Sequence, residues 1–335
     1  MNRAGSGINT TMAAAVFHGD ERITIERIPL PRVGEGEVLM RVGKTALCGS
    51  DFKLWHKGAE FTAGHEIFGR VEQPGHRLHD TRCCVYIPLH CGHCASCRRG
   101  DTQMCLETSC LIGWNRPGGY AEYVPVPESC LLPVPEDIED RLAPLLLDTI
   151  GTSAHAVRFA GRVMPPNEAA SVLVTGAGPV GLGVVLALQT LGYRNILISD
   201  PNDERLAIAR SFGARPHPID DTSRLFPLIV ECSGAHAARN RGINVVLPGG
   251  AIVLVGENAA PWMITEDKVF RRKDFHMIRT FYFPKADLGP NIALLRAHRD
   301  CYERLVDAEF GLDALPDAFV RFARGEYVKP LLTMA

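Results

Sequence analysis

Four cysteines, Cys91, Cys94, Cys97 and Cys105, stand in the pattern C-x2-C-x2-C-x7-C. Short turns at such spacings return each sulfur toward one centre, where four thiolates can hold an ion tetrahedrally. Four sulfurs leave no open coordination position, so the chemistry implied is structural. The ion would hold a lobe, residues 88–110, that has little core of its own. Zinc is the expected ion. An iron–sulfur cluster is the competitor, because bacterial ferredoxins begin with similar cysteine pairs. Their last cysteine is usually followed by proline, whereas Leu106 follows Cys105. Four unrelated buried thiols are the bland alternative.

A second chemical signal is Gly176–Ala177–Gly178–Pro179–Val180–Gly181, which follows an apolar run and opens a helical one. The first glycine permits a tight turn, the second lets backbone approach a pyrophosphate, and the third lets helix pack on strand. The pyrophosphate then sits on a positive helix N-terminus. Asp200 follows Gly181 by nineteen residues and ends the next apolar run. A carboxylate there accepts from the ribose hydroxyls and repels a 2′-phosphate, which favours NAD over NADP. Arg205 and Thr152 are further expected cofactor contacts. The alternative is a glycine turn that only packs.

The elements that must carry these groups change texture at residue 171. Residues 13–130 are rich in Gly, Pro and short β-branched runs, and residues 38–42 and 69–72 read as strands. Pro125, Pro127, Pro133 and Pro135 forbid a long helix there. Residues 138–159 read as helical by apolar spacing. Strands at 172–174, 195–199, 228–230 and 251–255 then alternate with helices at 182–191 and 203–212. This rhythm predicts a doubly wound parallel α/β sheet. It fades after residue 288, where the chain is expected to return to the first domain. The domains expected are therefore 12–150 with 288–335, β-rich, and 151–287, dinucleotide-binding. Residues 1–11 are small and polar and are expected to be a disordered lead-in.

With 335 residues, 46% hydrophobic, 22% charged and a net charge of −2, the chain fits two domains. Such a balance gives no reason to expect nucleic acid or an anionic membrane as partner. No apolar run reaches transmembrane length and no signal peptide is visible. Eleven cysteines without a secretion signal read as metal ligands and buried thiols, so the cytoplasm is the expected address.

Over nearly everything after Thr11 the chain resembles the zinc-dependent medium-chain dehydrogenases/reductases of the alcohol dehydrogenase superfamily, above all sorbitol, threonine and secondary-alcohol dehydrogenases. The resemblance rests on Cys48–Gly49–Ser50–Asp51, Gly64–His65–Glu66, the four-cysteine lobe, Gly118–Gly119–Tyr120–Ala121–Glu122–Tyr123 and the dinucleotide turn. It implies a Rossmann domain plus a β-rich GroES-like catalytic domain. It also implies a catalytic zinc on Cys48, His65 and a third ligand, assigned to Asp148, with the fourth position open to water or substrate. Glu66 matches a carboxylate beside the metal. Adjacent strand residues face opposite ways, so His65 and Glu66 share an ion only if the backbone departs from strand geometry there. Taken alone, Cys48 and His65 would be core residues and Asp148 a surface one.

The chemistry implied is zinc acting as a Lewis acid on a secondary alcohol, with hydride passing to NAD and a ketone as product. Ser50 fits the head of a proton relay, or else caps a turn. Its end is open: relatives place histidine five residues after the ligand cysteine, and here that residue is Lys53. An unperturbed lysine is a poor exit near neutral pH, and His56 is the other candidate. Lys329 falls where relatives put a basic residue near the cofactor phosphates, or is simply solvated. Trp55, Trp114 and residues 280–283 either shape the pocket or lie in the core. Cys83 and Cys84 read as buried structural thiols.

The full expectation is an enzyme with two zinc ions and NAD. It acts on a small polyol, sugar, aminocyclitol or amino alcohol, as a homodimer or homotetramer. Two alternatives stand: a zinc-free NAD(P)H reductase of the same superfamily, and a non-catalytic NAD-binding protein with only the lobe metal.

Overall fold

The computed structural model describes residues 10–167 and 170–334; most of the expected lead-in, residues 1–9, lies outside them. The chain divides into two units, Met1–Pro144 with Val306–Ala335, and Leu145–Leu305.

The first unit begins with β1 (Thr11–Gly19) and β2 (Arg22–Pro29), an antiparallel pair. β3 (Glu37–Ala46) buries Val38, Met40 and Val42 at the period of two that marks a half-buried strand. It pairs antiparallel with β4 (Glu66–Val71) and with β6 (Tyr123–Pro127). β5 (Arg82–Val85) and β7 (Leu131–Pro133) extend the sheet beyond β4. The two prolines in β6 are tolerable because that strand pairs on one side only, where a missing N–H costs no ladder bond. Two short helices, α1 (Phe52–Lys57) and α2 (Ala95–Arg98), lie in the connections.

The helix expected over residues 138–159 does not form. Only α3 (Ser153–Gly161) is α-helical. Before it run a 3-10 turn, Ala143–Leu146, and a wide π-helical turn, Asp148–Thr152. Pro144 cannot donate into an α ladder. Gly151 sits against Phe283, whose ring would lie 2.3 Å from an added Cβ.

The second unit then alternates as expected: β8 (Ser171–Thr175), α4 (Pro179–Thr190), β9 (Asn195–Ser199), α5 (Asp203–Ser211), β10 (Arg215–Pro216), β11 (Phe226–Glu231), α6 (His236–Val245), β12 (Val246–Leu254), α7 (Asp267–Phe270) and β13 (His276–Arg279). The sheet order is β10-β9-β8-β11-β12-β13 and every pairing is parallel. This is the Rossmann arrangement. Its core gathers Leu173, Phe226, Ile229, Ile243 and Ile252.

The return to the first unit comes later than expected. α8 (Leu288–Ala297) and α9 (Arg299–Leu305) stay with the second unit. Arg158 on α3 binds Asp287 at 2.7 Å and Asn291 at 3.1 Å, tying α8 down there. The boundaries expected at 150/151 and 287/288 accordingly fall at 144/145 and 305/306. Beyond them β14 (Ala308–Gly311), α10 (Leu315–Ala323) and β15 (Pro330–Thr333) complete the first sheet, whose order is β14-β15-β3-β4-β5-β7. Among the described residues no helix is long and apolar enough to cross a membrane.

Candidate functional site

The sulfurs of Cys91, Cys94, Cys97 and Cys105 all lie within 4.8 Å of one another. Cys91 Sγ and Cys97 Sγ are 3.9 Å apart, and Cys94 Sγ and Cys105 Sγ 4.0 Å. Those separations are far too long for disulfides. They match the spacing of about 3.8 Å between sulfurs around tetrahedral zinc at about 2.3 Å. Backbone amides converge on the sulfurs: Cys94 N–H donates to Cys91 Sγ at 3.2 Å and Leu106 N–H to Cys94 Sγ at 3.4 Å. The amides of Leu106 and Cys97 lower the Cys94 thiol to about 6. Burial pushes Cys97 up to about 12. Cys105 is also lowered, its burial outweighed by the amides of Cys91 and Glu107, and holding all four sulfurs as thiolates calls for a cation. The donor set fits zinc.

The second constellation begins where β3 ends. The chain turns at Cys48 into a 3-10 turn, Gly49–Asp51, that feeds α1. Ser50 donates its hydroxyl to Cys48 Sγ at 3.1 Å. Gly64, at φ +94°, bends the chain so that β4 starts only at Glu66, leaving His65 outside the ladder. Strand alternation therefore does not separate the neighbours. One ligand atom each from Cys48, His65 and Glu66 lies within 4.8 Å of the others.

Behind these ligands stands a buried network. Asp51, 0% exposed, accepts from Cys48 N–H at 3.3 Å and from the Tyr120 hydroxyl at 2.6 Å. Its other oxygen lies 3.0 Å from His65 Nδ1. A carboxylate accepts, so Nδ1 carries the proton and Nε2 keeps its lone pair for a metal. Burial and the charge of Asp51 hold the Tyr120 phenol well above its usual range, which keeps it a donor. Lys329, immediately before β15 and 1% exposed, donates to Glu66 Oε1 and to the Leu47 carbonyl at 3.2 Å. Thiolate, imidazole and carboxylate together suit zinc.

In the second unit, Gly176 adopts φ +93° and Gly181 lies so close that an added Cβ would meet the Gly176 carbonyl at 1.8 Å. Gly178 caps α4 and faces open space, and Pro179 is its first residue. Asp200 accepts from Ala177 N–H at 2.7 Å and Asn202 N–H at 2.8 Å. Both its oxygens keep a lone pair for hydroxyl donors. Gly176, Gly178, Asp200, Arg205 and Arg241 border a cavity of about 700 Å³.

Residues 34–136 match the alcohol dehydrogenase GroES-like domain. The chain is 32% identical over 274 residues to L-threonine 3-dehydrogenase of Chelativorans sp. (strain BNC1), covering 75% of this chain and 78% of that protein. It is 31% identical over 342 residues to L-threonine 3-dehydrogenase of Sinorhizobium fredii (strain NBRC 101917 / NGR234), covering 92% and 94%. Its fold superposes on that of the alcohol dehydrogenase from Thermus sp. ATN1 with a TM-score of 0.82 at 28% identity, covering 97% of this chain and 100% of that one. The chain belongs to the zinc-dependent medium-chain dehydrogenases. As a member it is an oxidoreductase acting on a CH–OH group, and its first unit carries the family's GroES-like catalytic domain.

Against that family pattern the remaining expected residues fall as follows. Asp148 heads the π-helical turn and accepts from Thr152 Oγ1 at 3.4 Å. Thr152 thus meets Asp148 and does not border the 700 Å³ cavity. Lys53 and His56 are exposed on α1, and His56 faces Glu21 at 3.6 Å. Lys329 is not solvated: it is buried on Glu66. Trp55 packs in the core beside Phe52 and Phe319, whereas the Trp114 ring lies 5.4 Å from that of His65. Cys83 and Cys84 are buried. Asp51 and Tyr120 stand in the family motifs without an expected role of their own. An aspartate three residues after a ligand cysteine was the available signal for the first, and a place in the Gly118–Tyr123 motif for the second.

Proposed function

We propose that this dehydrogenase performs zinc-dependent, NAD-linked oxidation of a secondary alcohol to a ketone. Its substrate would be a polyol, sugar, aminocyclitol or amino alcohol. The observation that carries the reading is His65, held at Nδ1 by buried Asp51 and grouped with the donors of Cys48 and Glu66. Cys48, His65 and Asp148 would hold the catalytic zinc, and the cysteine lobe a structural one. Bound there, zinc supplies Lewis-acid polarisation of the alcohol oxygen, and NAD supplies the hydride acceptor.

The chain's own residues do the rest. Asp51 locks the His65 tautomer. Lys329 compensates the buried charge of Glu66, which would otherwise be costly. The Ser50 hydroxyl, beside the Cys48 sulfur, is the first carrier of the released proton, with Lys53 and His56 its candidate exits. Gly178 admits the pyrophosphate to the start of α4, while Asp200 takes the ribose hydroxyls and disfavours NADP. The L-threonine 3-dehydrogenase relatives favour the amino-alcohol end of the substrate range.

The test is zinc per chain on protein purified without chelator, alongside titration with NAD and NADP. Two zinc ions and preference for NAD support the reading. One zinc under zinc-replete conditions overturns it.

A further inference from the structure

The geometry points to Tyr120 as a positioning residue that sets the strength of metal binding at His65, acting from both sides of that ligand without touching the ion. The inference rests on the zinc-dehydrogenase reading above.

Backbone bonds zip residues 118–120 onto residues 62–64: Gly118 N–H to Thr62 O at 2.7 Å, Gly119 N–H to Gly64 O at 2.8 Å, and Tyr120 N–H to Ala63 O at 2.9 Å. The Tyr120 ring is thereby laid over Gly64, where an added Cβ would meet ring carbon Cδ1 at 2.7 Å. Gly64 is the residue whose left-handed backbone aims His65 out of the strand. Phe17 stacks against Tyr120 with centroids 5.9 Å apart and rings 9° from parallel. From that fixed ring the hydroxyl reaches Asp51 at 2.6 Å, and Asp51 reaches His65 Nδ1 at 3.0 Å. One side chain therefore restrains both the backbone leading into His65 and the carboxylate that orients its ring. Tyr120 and Asp51 are each 0% exposed, so in the intact protein this Asp51 oxygen is served by the phenol and not by bulk solvent. Without it, Asp51 Oδ2 keeps only the longer bond from Cys48 N–H, and the carboxylate is free to rotate away from the imidazole.

The experiment is Tyr120→Phe in the full-length protein, which keeps the ring and removes one oxygen. Affinity for the exchangeable zinc is measured by competition with a chromophoric chelator. Loss of such an outer partner lowers metal affinity by about 10- to 100-fold. We expect a loss in that range at this site, with the lobe zinc retained. Affinity within twofold of the parent overturns the proposal, as does equal loss at both zinc sites, which marks general destabilisation. The same substitution in an Asp51→Asn background is the second measurement. A residue acting through Asp51 adds less than a twofold effect there, whereas an undiminished loss overturns the proposal. A parent protein that binds a single zinc sinks the functional reading itself, an outcome distinct from two zinc ions and an indifferent Tyr120.

Discussion

The two metal centres of this dehydrogenase are supported in opposite ways. The lobe's ligands lie within residues 91–105, and backbone amides stabilise their sulfurs. The centre around Cys48 and His65 draws its support from buried side chains: Asp51, Tyr120 and, 263 residues from Glu66, Lys329. The difference follows from what each must do. Four thiolates close a site whose only task is to hold a loop, and amides suffice for that. A site that takes up and releases substrate needs ligands held in place while one position stays open, and orientation then falls to the groups behind them.

The comparison breaks most completely at the ligands. Cys48→Ser should lower turnover by about 10³-fold or more, equivalent to about 4 kcal/mol of transition-state stabilisation, while zinc analysis still finds the lobe ion. Cys97→Ser should do the reverse: Tm falls by about 10 °C, since the ion contributes folding energy directly, and turnover per folded molecule changes little. Should Cys97→Ser leave Tm unchanged, the lobe is not a staple. Next in size is Asp148→Asn, for which kcat/KM is expected to drop by about 10²-fold with NAD binding intact. Near-normal turnover would remove Asp148 from the ligand set. Asp200→Ala should narrow NAD-over-NADP discrimination by about tenfold, read from the ratio of the two kcat/KM values. Smallest are Lys53→Ala and His56→Ala. Both side chains are exposed and either can pass the proton to solvent when the other is lost, so each single substitution should change kcat by less than about twofold. A tenfold loss with a shifted pH profile would make that residue the relay's exit.

What could be read from the chain beforehand divides along the same line. The lobe and the dinucleotide turn were legible because spacing alone carries them. The parallel sheet was legible because fully buried strands alternate with helices in sequence. Cys48 and His65 needed the family motifs, since a lone cysteine or histidine says little. Three features were not legible. The π-helical turn at Asp148–Thr152 hides inside an apolar spacing that suits any helix. Helices α8 and α9 belong to the second unit through contacts such as Arg158 with Asp287, and such contacts leave no periodic trace. Lys329 looks like any charged residue until β15 docks against β3 and encloses it.

That docking has a consequence for how the protein is made. Leu145–Leu305 interrupts the first unit, and β15 pairs with a strand from the chain's first fifty residues. During synthesis the lobe's four cysteines emerge close together and can take their ion early. Glu66 emerges early too, but its cation is translated 263 residues later. The sheet that encloses them closes only after the intervening unit has been translated and the long loop has been brought together. On the proposed ligand set, the catalytic centre is expected to be completed only after translation, whereas the lobe can take its ion first.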